Sequence, residues 1–255
     1  WDVESAAWKG EKPKGIRSAP EELPYGSLEG EPFLLGLSGK TLEPVNLPWT
    51  DTVSVLISAE EPEADGILEL LLKEAVRLAG DSLFFFSESR TAEEPARTFH
   101  EAEDFDEEVF SLANTLRQRQ EEKREWPEVV FSPIVVFIDG LKACLDCVKP
   151  DTVSRLEVFI RLGDGLGITI LAADVPERVA SCYYGGDILT ATMREGPILL
   201  GGGVPEDHRI TDTIALKKKH PDALSTGELI FVRGQEFESL RRLEVQRGGD
   251  THGNL

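Results

Sequence analysis

The stretch "VSVLISAEEPEADGILELLLKEAVRLA", residues 53–79, decides the fold. Val53 to Ser58 is a nearly continuous apolar run, as in strands buried on both faces. Leu68, Leu71, Leu72, Ala75, Val76 and Ala79 then recur at helical spacing, so a helix begins at about Ala64. The loop "AEEPEADG" joins the two. A strand feeding directly into a helix is the first half of a parallel crossover unit.

The same alternation continues along the chain. Apolar runs at 82–87, 133–139, 167–173, 196–202 and 228–234 read as strands. Val109, Leu112, Ala113 and Leu116 mark a polar helix from about Glu103 to Glu125. Val153, Leu156, Phe159 and Ile160 mark another, with Asp151 placed to cap it. These predict an α/β fold with a mostly parallel central sheet flanked by helices. Residues 33–245 make up this domain. "EPFLLGLSGKTLEPVNLPW" precedes the alternation and reads as a β-hairpin turning at Ser38-Gly39. Residues 1–32, with four prolines, read as an extended connector that Trp1 and Trp8 could dock onto the body. Residues 246–255 are polar and Gly-rich and read as a flexible tail. Trp1 as first residue suggests a piece of a longer protein, and the N-terminus lacks the apolar region of a signal peptide.

Ser38-Gly39-Lys40-Thr41 has the ending of a phosphate-binding loop but lacks its setting. The first glycine of that motif would fall on Leu34, and Pro44 and Pro48 break any helix that should follow. The right setting is 53–79. There Ser58 takes the position of the first glycine, Glu63 the second, Ala64 the lysine and Asp65 the Ser/Thr. The architecture is present and the phosphate chemistry is replaced. Carboxylates at a helix N-terminus suit its dipole and repel a triphosphate.

"IVVFID", 134–139, resembles a Walker B strand whose Asp139 would reach Mg²⁺. An aspartate there also serves as a turn cap. Gly140 stands where a second acid often activates water. Asp174 ends the 167–173 strand at the same edge, where parallel sheets bind ligands. Gly201-Gly202-Gly203 reads as a permissive turn, and Lys217-Lys218-Lys219-His220 as a solvated basic loop. Arg155, Arg161, Arg178 and Arg194 are candidates for an arginine finger toward a neighbouring site. Cys144 and Cys147 form one Cys-x-x-Cys without the second pair a structural zinc needs, and with Cys182 they read as reduced thiols. No catalytic residue or metal site emerges, unless Asp139 holds Mg²⁺.

Of the 255 residues, 40% are hydrophobic and 29% charged, which is globular. No apolar run approaches the ~20 residues of a bilayer span. The net charge is −20, which repels nucleic acid and anionic lipid.

Seven segments together resemble an FtsK/SpoIIIE-type ATPase domain of P-loop (RecA/FtsK-like) fold. They are "AWKGEKPKGIRSAPEELP" (7–24), "LLGLSGKTLEPVNL" (34–47), the unit at 53–72, "VVFIDG" (135–140), "GLGITILAAD" (165–174), "GPILLGGGVPEDHRI" (196–210) and "STGELIFVRG" (225–234). More narrowly, they are similar to the C-terminal domain of the EssC/EccC motors of type VII secretion, over roughly residues 7–245. In that family the segment matching 34–47 is a hairpin ahead of the P-loop strand. The resemblance implies the cytoplasmic part of a membrane-anchored protein with tandem ATPase domains. It implies hexameric assembly and WXG100-type helical-hairpin substrates, whose export signal some members bind with the last domain. With the degenerate loop, the expectation is an interaction module with no tightly bound cofactor, or at most weak Mg-ATP. A working ATPase with an unorthodox site is the alternative, and a DNA translocase the third reading, which the charge disfavours.

Overall fold

The computed structural model describes residues 20–28, 33–47 and 53–245. The expected tail, Trp1, Trp8 and most of the connector lie outside the described residues. The chain forms β1 (Leu34–Ser38), β2 (Pro44–Asn46), β3 (Ser54–Ala59), α1 (Glu63–Ala79), β4 (Leu83–Ser87) and β5 (Arg97–Phe99). Next come α2 (Ala102–Glu125), β6 (Ile134–Asp139), α3 (Leu141–Cys147), α4 (Pro150–Leu162) and β7 (Ile168–Asp174). Then follow α5 (Pro176–Tyr184), α6 (Ile188–Met193), β8 (Ile198–Gly201), α7 (Thr213–Lys219), β9 (Glu228–Arg233) and β10 (Glu236–Arg242).

All ten strands form one sheet, ordered β2-β1-β10-β9-β8-β3-β7-β6-β4-β5. From β8 to β5 every pairing is parallel, and β9, β10, β1 and β2 add an antiparallel edge. The sheet is therefore mostly parallel, as the alternation predicts. The 34–47 segment is a hairpin, joined to the sheet through β10. Ser38-Gly39-Lys40-Thr41 is its turn, where Leu42 N donates to Ser38 O at 2.9 Å, and Lys40 is exposed.

Three expectations need correction. Lys217, Lys218 and Lys219 are the last turn of α7, where cations suit the helix dipole, and not a loop. Strands β5 and β10 escape the apolar-run criterion because they are polar edge or near-edge strands with mixed burial. Asp151 does not cap α4: Lys149 precedes the helix, Pro150 begins it, and Asp151 lies in its first turn. Asp106 on α2 does that work, accepting from Lys149 N at 3.2 Å and from the Thr152 hydroxyl.

The core divides across the sheet. On one face α2 to α7 pack over alternate strand residues such as Leu56, Phe86, Val136 and Ile170. On the other, α1 packs over Val55, Ile57, Phe85, Phe137 and Leu171. Among the described residues one helix covers that second face, against six on the first.

Helix α1 is used on three sides. Ile67, Leu71 and Ala75 meet the sheet. Leu70 joins Leu23, Leu34, Leu37 and Leu243 in a separate cluster. Leu68, Leu72 and Val76 face an open groove. Residues 20–28 are bound to the body: Tyr25 N donates to Glu244 O and Glu244 N to Leu23 O, both at 2.7 Å. The Tyr25 hydroxyl donates to buried Glu74 at 2.6 Å. Burial first, and then that hydrogen bond to an acceptor, push the Tyr25 phenol up to about 12.

Candidate functional site

Register places the strand-end groups in a row. Ser58 of β3 pairs with Asp174 of β7, and Asp139 of β6 pairs with Ala173 of β7 and Ser87 of β4. The row edges a crevice of about 220 Å³ at the carboxyl ends of the parallel strands, closed by the first turn of α1. Crevices at this edge are where open α/β sheets bind ligands, though ligand pockets generally exceed about 300 Å³.

Asp139 lines the crevice. Its Oδ2 accepts from the Ser87 hydroxyl at 2.8 Å and lies 3.3 Å from Arg90 Nε. Burial raises its pKa, against the lowering effects of Ser87 and Arg90. Asp65, in the first turn of α1, lines the neighbouring groove, and Arg90 Nη2 donates to its Oδ1. Arg90 thus reaches both carboxylates. Burial lowers the guanidinium's pKa, but the bond to Asp65 and the charges of Asp139, Asp65 and Glu61 leave it above its ordinary value.

Asp174 lines the crevice and holds the turns around it. Its Oδ2 accepts from Lys142 N and its Oδ1 from Val175 N, each at 2.8 Å, with Arg178 Nη1 at 3.7 Å. Burial still raises its pKa. Ala64 lines the crevice with a methyl group at the position matched to lysine.

Glu63 and Ser58 point elsewhere. Glu63 is buried, and its Oε2 accepts from Gly227 N at 3.0 Å and Arg242 Nη2 at 3.2 Å. It ties α1 to β10. Ser58 is fully buried on the opposite face of β3, with its Oγ 3.1 Å from His208 Nδ1. His208 Nε2 lies 2.9 Å from Gly202 O. A carbonyl only accepts, so Nε2 carries the proton and Nδ1 accepts from the Ser58 hydroxyl.

A magnesium–triphosphate complex needs free loop amides, a cation for the phosphates and oxygen ligands for the metal. Two of the loop amides are spent internally: Glu60 N donates to Gly201 O and Ala64 N to Glu60 O, both at 2.9 Å. Gly202 and Gly203, at φ +62° and +68°, press against this loop, and a Cβ on Gly202 would lie 3.0 Å from Glu60 O. Among the described residues no group of three or more His, Cys, Asp or Glu is placed to hold a metal ion. Asp65 and Asp139 are engaged by Arg90. The residues present do not fit Mg-ATP.

Ser87, Arg90 and His208 are the site residues that sequence reading misses. Ser87 ends an apolar run, which hints at the strand-end row, but its adjacency to Asp139 requires the strand order. Arg90 sits in a loop with no motif to mark it, and His208, though inside the 196–210 segment, has nothing in the sequence that pairs it with Ser58. Of the four candidate arginine fingers, Arg178 lines the crevice. Arg155 pairs with Asp151 at 3.8 Å, Arg161 with Glu157, and Arg194 donates to Ile210 O at 2.7 Å. Cys144 is buried and Cys147 exposed, and burial raises the pKa of both thiols, which disfavours reactive thiolates.

Beside the crevice lies a larger opening of about 630 Å³ along α1. Leu68, Leu72 and Val76 form one wall, Phe85 and Phe137 line it from the sheet, and Asp65, Glu69, Lys73, Arg90 and Glu93 supply charge around them.

No family model and no curated protein matches the chain significantly. Solved structures do match. EssC (ATPases 2 and 3) from Geobacillus thermodenitrificans superposes at TM-score 0.73 with 18% identity, over 96% of this chain and 48% of that one. EccC (ATPases 2 and 3) of Thermomonospora curvata, solved with a signal sequence peptide, gives 0.70 and 15%, over 95% and 46%. The pCW3 conjugation coupling protein TcpA, solved with ATPγS, gives 0.68 and 15%, over 89% and 71%. This chain spans about half the length of those EssC and EccC structures. At such identities the likeness is one of fold: the chain has the fold of an EssC/EccC-type, FtsK/SpoIIIE-like ATPase domain.

Proposed function

We propose that this chain is the last, degenerate ATPase-fold domain of a membrane-anchored type VII secretion motor and works by docking rather than by hydrolysis. It acts beside preceding ATPase domains of the same protein, in a hexamer, on the cytoplasmic side of the membrane. Its ligand is the helical export signal of a WXG100-type substrate. The observation that carries this reading is the contrast between the two openings. The crevice at the strand ends is small and its Asp139 is engaged by Arg90, whereas the larger groove carries an apolar strip along α1 with charges around it.

An amphipathic helix fits such a groove by inserting one apolar face, with charges at the rim. A comparable ligand, a signal sequence peptide, accompanies the EccC structure of similar fold. The whole motor's activity belongs to the longer protein. The alternative, an unorthodox but working ATPase, would use Asp139 for Mg²⁺.

The test is to titrate the cognate secretion substrate, and separately the upstream ATPase domain, into this chain. Binding at about tens of micromolar is expected for a transient contact. Leu72→Glu should abolish substrate binding. If neither partner binds while Mg-ATP does, the working-ATPase reading replaces this one.

A further inference from the structure

Asp65 stands at the position matched to the metal-holding Ser/Thr, and Asp139 ends the Walker B-like strand. In a working site the hydroxyl at the first position and the carboxylate at the second would serve one divalent cation. Here one guanidinium serves the carboxylates at both positions. Resting on the reading of this crevice as a degenerate nucleotide site, we propose that Arg90 is a built-in ligand: its guanidinium takes the metal's place between Asp65 and Asp139 and keeps the site closed without nucleotide.

The arrangement is built from several sides. The amides of Ser89 and Arg90 donate to Ser87 Oγ at 3.3 and 3.1 Å, and that hydroxyl donates onward to Asp139 at 2.8 Å. The loop after β4 is thereby fixed to the end of β6, and the Arg90 side chain then ties it to α1. A guanidinium suits the task because its planar fork presents donors on different edges, always charged. Tethering makes the contact intramolecular, so a free ion must compete with a high local concentration of cation.

The lock also reaches the groove. Leu68, Ser89 and Arg90 line both openings and so form the wall between them, and Asp65, which Arg90 grips, lines the groove. With Arg90 in place, that wall stands regardless of nucleotide, and docking in the groove is uncoupled from ATP.

The 255-residue chain itself serves for the test, with Mn²⁺ as probe, read by loss of its free-ion EPR signal at constant ionic strength. Arg90→Gln should bind Mn²⁺ about tenfold or more tightly than the unaltered chain. Adding Asp65→Asn to that variant should return the affinity to the original value. An unaltered chain that binds Mn²⁺ as tightly as Arg90→Gln overturns the proposal, as does an Arg90→Gln chain that gains nothing. Should Arg90→Gln fail to fold, hydrogen exchange on the unaltered chain decides: amides of 63–68 and 88–91 should exchange at equal rates with and without Mg-ATP. Protection gained on adding Mg-ATP would overturn it. These readouts are separate from substrate titration. A groove that binds no signal helix removes the proposed function and leaves the role of Arg90 standing, while Mn²⁺ uptake by the unaltered chain does the reverse.

Discussion

His208 is fully buried and bonded at both ring nitrogens, and burial lowers its pKa despite the bond to Gly202. The neutral ring is therefore the folded form. The unfolded chain takes up its proton below about pH 6.5, so this contribution is complete above that pH and is lost as pH falls through it. Asp139 and Asp174 act in the opposite sense. Their raised pKa values mean the folded state holds protons at pH values where the unfolded carboxylate has released them. Acidification through those raised values therefore adds stability. We expect His208→Gln to weaken the loss of stability between pH 7 and 5, and Asp139→Asn to remove part of the gain at lower pH. Urea midpoints across that range give both slopes. Lys40, exposed in its hairpin turn, should matter little. Lys40→Ala should change stability by no more than about 0.5 kcal/mol and leave any nucleotide affinity unchanged. Calorimetric loss of nucleotide binding in that variant would restore the Ser-Gly-Lys-Thr motif as a phosphate site.

At the scale of elements, α1 and β10 hold the arrangement together. The Glu63–Arg242 pair is buried on both sides and joins the first turn of α1 to a strand 179 residues away in sequence. Glu63→Ala leaves the Arg242 charge buried without its partner and should cost about 3–5 kcal/mol in chemical denaturation. Gly36 makes the parallel case for the hairpin. A Cβ there would lie 1.9 Å from Arg241 O, a backbone atom that cannot rotate away. Gly36→Ala should therefore force β1 from β10 and destabilise by about 1–3 kcal/mol or more. Unchanged stability in either variant would show that the pairing is dispensable. Much of this level is readable in advance. Strand β3, helix α1 and strands β6 and β7 follow from apolar period alone. Strand β10, "EFESLRR", does not, because Glu236 and Glu238 are exposed and of its residues only Leu240 and Arg242 are buried. Its place in the sheet comes from β9 and β1 beside it.

For the whole molecule, the charge of −20 predicts no measurable binding to duplex DNA at about 150 mM salt, where counterion release favours basic proteins. A filter-binding or anisotropy titration checks this, and salt-sensitive binding there would revive the translocase reading. Among the described residues no helix is long and apolar enough to cross a membrane. The sequence by itself determined the alternation of buried strands and helices, and with it the parallel sheet. It also determined that Ala64 and Asp65, rather than a lysine and a Ser/Thr, stand at the helix opening, because both readings depend on residue identity and local period. Tertiary structure alone decided what Asp65 and Asp139 meet. Arg90 stands 25 residues from Asp65 and 49 from Asp139, counting along the numbering, and no local pattern encodes that meeting. It arises because β4 and β6 are neighbours in the sheet, which brings Ser87 beside Asp139 and the next loop over both. The same holds for Ser58. Its position in the chain suggests a phosphate loop, but the pleat of β3 turns it to the far face, toward His208.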